Sequence, residues 1–366
     1  MITRFHQAGS SIAFTNLTAF SSGAPNPNFP GFHLTTDGGV LSIGSVTINT
    51  PGLASFQALT PVGGGPVGAL AVTAALSVTA DSIAADQLAP PGPGPLDTLH
   101  AGSVTLTAAT GFNSTNNARI GATNNLQIQV TNGGANVASI SAGGEARITT
   151  TGGVVLGSAS GTGANGSVVI DAGLIAGLHS PTANATINGA VNATGSVAIT
   201  SGGDVVVSNG ASVLSDNSVA IKAGDDIIVS GGGLVRAANN PLVDPGVLAA
   251  DESNTAAFLS LQAGGIPLSS APLPGPHSII VDGVIAAPGR PIYLTADAIQ
   301  ADTNAIAARS LFADITNPPA VGAPADQDGG SLRTDCTAGT ICLGQLTLSG
   351  KLRVGPVLGA GGALPN

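Results

Sequence analysis

Tryptophan is missing from this 366-residue chain, tyrosine occurs once, and aromatic residues make up only 3% of it. A globular domain of this length usually buries several large aromatics. The apolar share is nonetheless 43%, supplied mainly by Ala, Val, Ile and Leu, so the core is expected to be thin and filled by stacked aliphatic side chains. Charge is scarce as well, at 8% of residues against about a quarter in ordinary soluble domains. Low charge would suit a membrane protein, but Gly, Ser, Thr and Asn interrupt every apolar stretch before about 18 residues, so no membrane insertion is expected. Lysine occurs only at Lys222 and Lys351, and the net charge is −10. Phosphate recognition needs clustered Lys and Arg, so nucleic acid and anionic lipid are not expected partners. The chain reads as soluble and extended, its acidity keeping an all-β rod in solution. Sustained helical periodicity is absent, and 53 glycines and 24 prolines would break most helices.

The most informative stretch is a tandem near-duplication. Val197-Ala198-Ile199-Thr200-Ser201-Gly202-Gly203-Asp204-Val205-Val206-Val207-Ser208 returns 22 residues later as Val219-Ala220-Ile221-Lys222-Ala223-Gly224-Asp225-Asp226-Ile227-Ile228-Val229-Ser230, and the full 22-residue register holds 10 identities. Short β-branched runs bounded by Gly, Asn, Asp or Ser recur elsewhere, as at Val104 to Thr107, Leu126 to Val130, Ala146 to Thr150 and Ile292 to Thr295. They favour strand over helix. The corner form also recurs, since Ile140-Ser141-Ala142-Gly143-Gly144-Glu145 matches Ile199-Thr200-Ser201-Gly202-Gly203-Asp204. Glu145, Asp204 and Asp226 are therefore expected to be structural corner residues, each following a small-residue bend. A longer echo joins Leu76 to Asp86 with Ile292 to Asp302, where six of eleven positions are identical. A unit of roughly 20 residues cannot bury its own apolar face and must stack on copies of itself. Three strands and three corners per unit fit one turn of a parallel β-helix.

Pro/Gly-rich stretches break the pattern at Pro61 to Pro66, Ala89 to Leu96, Pro241 to Glu252, Ile266 to His277 and Asn317 to Gly330. They are expected to leave the coil at its corners as loops. The chain divides accordingly into a cap or irregular region over 1–39, a parallel β-helix with loop insertions over 40–316, and a final loop with the last turns over 317–366. Phe5, Phe14, Phe20, Phe29 and Phe32 fall where they could cover the open end of the coil, which would otherwise be an unpaired sheet edge. Neither a signal peptide nor a barrel-type carboxy end is visible, and the chain reads as a piece of a larger exported polypeptide or as a truncated reading frame. Cys336 and Cys342 stand with five residues between them. Their spacing suits a small disulfide loop in an oxidising compartment, two buried free thiols being the alternative.

Ser141-Ala142-Gly143-Gly144-Glu145, Ser201-Gly202-Gly203-Asp204 and Ala223-Gly224-Asp225-Asp226 each precede a short aliphatic strand. Over about positions 100 to 315 this grammar resembles the filamentous haemagglutinin-like adhesins of Gram-negative bacteria, of the two-partner secretion or autotransporter passenger type. The resemblance implies an all-β, right-handed parallel β-helix, secreted or held at the cell surface and acting in adhesion. It implies a host-cell or matrix glycan or protein as ligand and an outer-membrane export partner for the full-length protein. Secretion domains of the two-partner branch carry Asn-Pro-Asn motifs, and Asn26-Pro27-Asn28-Phe29 has those letters.

Parallel β-helices also host polysaccharide lyases and hydrolases, which need carboxylates gathered on adjacent turns. Asp204, Asp225 and Asp226 are the best candidates, since the 22-residue offset would stack Asp204 over Asp226. Beside that reading stands a simpler one, in which a corner Asp bonds its own backbone in an Asx-turn. No basic or catalytic partner repeats beside them, so no catalytic residue is assigned. His6, His33, His100, His179 and His277 never pair at metal-ligand spacing and are expected at solvated loop or cap positions, with no metal or cofactor. Thr-x-Thr, as in Thr105-Leu106-Thr107, does not recur as a rank, so no ice-binding face is expected. The sequence therefore favours a non-enzymatic stalk, with a carbohydrate-active enzyme as the alternative.

Overall fold

The computed structural model describes residues 4–5, 12–20, 31–37, 40–59, 69–87, 98–237, 258–271, 276–301, 306–315, 341–343, 346–348 and 352–356. Within them the chain is all β, with 28 strands in one large sheet, a separate two-stranded hairpin and no helix. Pairing in the large sheet is parallel, and each strand between the first and last described passes meets a strand from the preceding pass of the chain and one from the next. Val197–Ser201 pairs with Val219–Ala223 so that Val197 faces Val219 and Ile199 faces Ile221. Val205–Val207 pairs in the same register with Ile227–Val229, and Val213 faces Val235.

Followed rung by rung, the pairings form three ladders. The first passes through Leu17, Val46, Leu76, Val104, Leu126, Ala146, Val168, Val197, Val219, Leu259, Ile292, Leu311 and Leu352, thirteen described rungs. A second runs from Phe32 through Ala54, Ile83, Phe112, Ala135, Val154, Ala185, Val205, Ile227, Ile279 and Ile299 to Ile341. The third runs from Ile12 through Leu41, Leu70, Leu99, Ile120, Ile140, Ala159, Val191, Val213, Val235, Ile285 and Ile306 to Leu346.

Burial alternates along the strands, as in the buried Leu126, Ile128 and Val130 flanking Gln127 and Gln129. The period of two sends one file of side chains inward and the next outward. From Val46 to Leu311 every described first-ladder rung residue is buried, and they belong to one continuous aliphatic cluster. Among the described side chains, buried aromatics stand in the earlier rungs, where the rings of Phe32 and Phe56 lie 5.9 Å apart and Phe112 is buried.

Strands in the earlier rungs are longer than the sequence pattern suggests. Val40–Leu59 spans 20 residues and Ala69–Gln87 spans 19. Each serves all three ladders by shifting register between Ile43 and Val46 and between Thr50 and Leu53, so bulges bend the chain where later rungs use Gly/Asp corners. Strands Ile12–Phe20 and Phe32–Asp37 pair with Val40–Leu59 in the same ladders. The stretches Pro61 to Pro66, Ala89 to Leu96, Pro241 to Glu252 and Asn317 to Gly330 lie outside the described residues, as do Asn26 to Phe29 and Cys336. Cys342 lies on the strand Ile341–Leu343, with its side chain outside the described set.

Ile221 is fully buried and stacks between Ile199 and Leu261. Ile221→Ala is expected to lower unfolding free energy by about 2–5 kcal/mol, whereas Ala220→Ser on the outward file should change it by less than about 0.5 kcal/mol. Urea titration followed by circular dichroism measures both, and equal midpoints would contradict the inward assignment of Ile221.

Candidate functional site

Acidic and histidine side chains gather at the corner joining the first ladder to the second. Successive rungs there read Ser201-Gly202-Gly203-Asp204-Val205 and Ala223-Gly224-Asp225-Asp226-Ile227. Small residues are required because the rungs touch: a Cβ on Gly202 would overlap the Ser180 carbonyl oxygen, and one on Gly224 would overlap that of Gly202.

Once the chain has turned, a side-chain ladder continues the backbone one. The Asp204 amide donates to Asn184 Oδ1 at 3.0 Å, the Asp226 amide to Asp204 Oδ1 at 3.2 Å, and the Ser278 amide to Asp226 Oδ1 at 2.5 Å. Asn184 Nδ2 also donates to Asp204 Oδ2 at 3.3 Å. Each oxygen thus satisfies an amide on the next rung, at the corner where the strand pairing is interrupted. Asp226 is 1% exposed and Asp225 4%, and burial of a carboxylate at this depth needs such donors.

Two histidines join this corner. His277 Nδ1 lies 3.1 Å from Asp225 Oδ1, and its backbone amide donates to Asp297 Oδ2 at 3.2 Å. His179 Nε2 lies 2.7 Å from Asp171 Oδ1. Their side chains are only 16% and 11% exposed, which corrects the expectation of solvated loop positions. The reason is that both stand on excursions that fold back over the sheet. His179 Nδ1 is buried without a hydrogen-bond partner. Of the others, His100 keeps an outward position and lies 3.3 Å from Thr123 Oγ1, while His6 lies outside the described residues.

The three corner residues singled out in the sequence separate into two places. Asp204 and Asp226 stack one rung apart, whereas Glu145 stands before Ala146, on a strand of the first ladder. Its amide donates to Asn125 Oδ1 at 2.9 Å, the same rung-to-rung device at a different corner. The Glu145 carboxylate grips Arg147 through Nε at 2.7 Å and Nη2 at 3.1 Å, and this bond holds the Arg147 pKa above its ordinary value. The pair is more than a third exposed, so solvent screening keeps its contribution small.

Thr-x-Thr does not recur on the rungs that flank Thr105 and Thr107, where the outward file is instead a mixture of Thr, Ser and Asn toward the earlier rungs and Gln127 and Gln129 toward the next. Thr47 and Asn49, Ser77 and Thr79, and Thr105 and Thr107 stand side by side facing outward from the first ladder.

No protein-family model, curated protein or solved structure matches the chain. Among the described residues no group of three or more His, Cys, Asp or Glu side chains is placed to hold a metal ion. What the corner does chemically is therefore read from its geometry: carboxylate oxygens that accept amide hydrogens, and imidazoles bonded to carboxylates. Asp226→Ala, which leaves the Ser278 amide without this acceptor, is expected to cost about 1–3 kcal/mol of stability, with Asp226→Asn retaining most of it because an oxygen remains. Denaturant unfolding compares them, and equal, negligible effects would show that the side-chain ladder carries no load. Glu145→Gln should shift stability by less than about 1 kcal/mol in the same assay.

Proposed function

We propose that the chain is a right-handed parallel β-helix forming a rigid, non-catalytic stalk segment of a secreted or cell-surface adhesin of a Gram-negative bacterium. The observation that carries this reading is the run of three parallel ladders around one continuous aliphatic core. Thirteen rungs at about 4.8 Å each would give a rod of about 60 Å. The use of Asp204 and Asp226 as amide acceptors supports a scaffold role, since oxygens engaged by the next rung are not free to act as acid, base or nucleophile. The corner grammar shared with filamentous haemagglutinin-like adhesins supports the cell-surface part. On this reading the ligand is a host-cell or matrix glycan or protein, and an outer-membrane partner exports the full-length protein.

A carbohydrate-active β-helix enzyme is the second reading, favoured by the His179–Asp171 and His277–Asp225 pairs at one corner. The two are separated by presenting the purified chain to epithelial cells, immobilised matrix proteins and a panel of soluble polysaccharides. The stalk reading expects saturable retention on cells, matrix or glycan without new reducing ends or unsaturated sugars. Polysaccharide cleavage abolished by Asp225→Asn would overturn it.

A further inference from the structure

Two excursions that the repeat does not generate meet over the acidic corner. Strands Leu174–Ile175 and Leu178–His179 form an antiparallel hairpin that leaves the rung of Ser167–Ala172. It turns through Ala176 at φ 50° and Gly177 at φ 86°. The second excursion, described over residues 264–271 and 276–277, leaves the rung of Leu259–Ala263. Two further rungs lie between, those of Val197–Ser201 and Val219–Ala223.

Across that gap the excursions pair directly. The His179 amide donates to the Pro267 carbonyl at 2.9 Å, the Ser269 amide donates to the His179 carbonyl at 2.7 Å, and His179 faces Leu268 in a parallel bridge. Each excursion is also fastened to the sheet beneath, His179 to Asp171 at 2.7 Å and His277 to Asp225 at 3.1 Å. They rest on the bare corners of the intervening rungs, Gly202 lying against Ser180 and Gly224 against Leu268.

A stack whose rungs contact only their neighbours opens locally, one rung independent of the next but one. A bond between rungs three apart changes this, because the two rungs beneath it cannot separate while it holds. We propose that the hairpin and the segment 264–271 form a strap that couples the four rungs from Ser167–Ala172 to Leu259–Ala263 into a single cooperative opening unit. The strap acts through a residue with three attachments: His179 uses its amide, its carbonyl and its ring. Its role stands on pairing alone and is independent of the ligand or of export.

Amide hydrogen exchange of the full chain, read by mass spectrometry at peptide resolution, tests the strap. The first variant, His179→Ala, removes the ring attachment, and the second, Asp171→Asn, weakens it while leaving the hairpin backbone intact. Expected is a common loss of protection, roughly tenfold or more for His179→Ala and smaller for Asp171→Asn, spread over 174–180, 197–207, 219–229 and 264–271. Exchange that rises only within 174–180 and 264–271, with 197–207 and 219–229 unchanged, would overturn the proposal. Should His179→Ala not fold, Asp171→Asn decides by the same pattern.

Discussion

Backbone hydrogen bonding between successive passes of the chain is the interaction on which the rest of this structure depends. Strands of three residues such as Val205–Val207 and Ile227–Val229 have no independent existence, and their amides and carbonyls are satisfied only because another pass lies on either side. That requirement sets the register, since slipping a strand by one residue would turn Ile199 or Ile221 outward and expose an apolar file. It also restricts what can stand at the corners. Rungs about 4.8 Å apart leave no room for a side chain at Gly202 or Gly224, where the neighbouring carbonyl lies in the way.

The same spacing explains the composition. Between three ladders there is room for Val, Ile, Leu and Ala, which fill the continuous core, and the buried aromatics among the described side chains sit in the earlier rungs at Phe32, Phe56 and Phe112. Charges are few because each rung offers only short outward files and small corners. Where carboxylates enter the corner, the ladder again supplies the reason: the half-buried Asp204 and the buried Asp226 accept the amide hydrogens that the turning backbone leaves over. Each of these two carboxylates is compensated by an amide of the next rung.

Much of this was legible in the sequence because similar strands and corners recur from rung to rung. The 22-residue duplication is the pairing register itself, Val197 on Val219. The distant echo of Leu76 and Ile292 falls in one ladder, with Ile83 and Ile299 together in another. Insertions erased the signal where rungs lengthen, so the side-by-side placement of Thr47, Ser77 and Thr105 was not visible. The likeness of Glu145 to Asp204 pointed to one corner although the two stand at different ones, because a small-residue bend followed by an acceptor serves any corner equally well. The histidine pairs were hidden for another reason. His277 and Asp225 are 52 residues apart, and their meeting depends on an excursion whose path no local pattern describes.

Distance along the ladder axis is the most direct measure of this account. Thr105 connects to Ala220 through Gln127, Arg147, Val169 and Ala198, five rungs in all, and Thr47 reaches Thr105 through Ser77, two more. With Cys336 and Cys342 replaced by serine, spin labels introduced as Thr105→Cys with Ala220→Cys, and as Thr47→Cys with Ala220→Cys, report those spans by electron–electron dipolar coupling. The ladders predict backbone separations of about 24 Å and about 34 Å, growing by about 4.8 Å per rung. Two separations that are equal, or that fail to grow with rung number, would contradict the stacked register and with it the account of core, corner and strap.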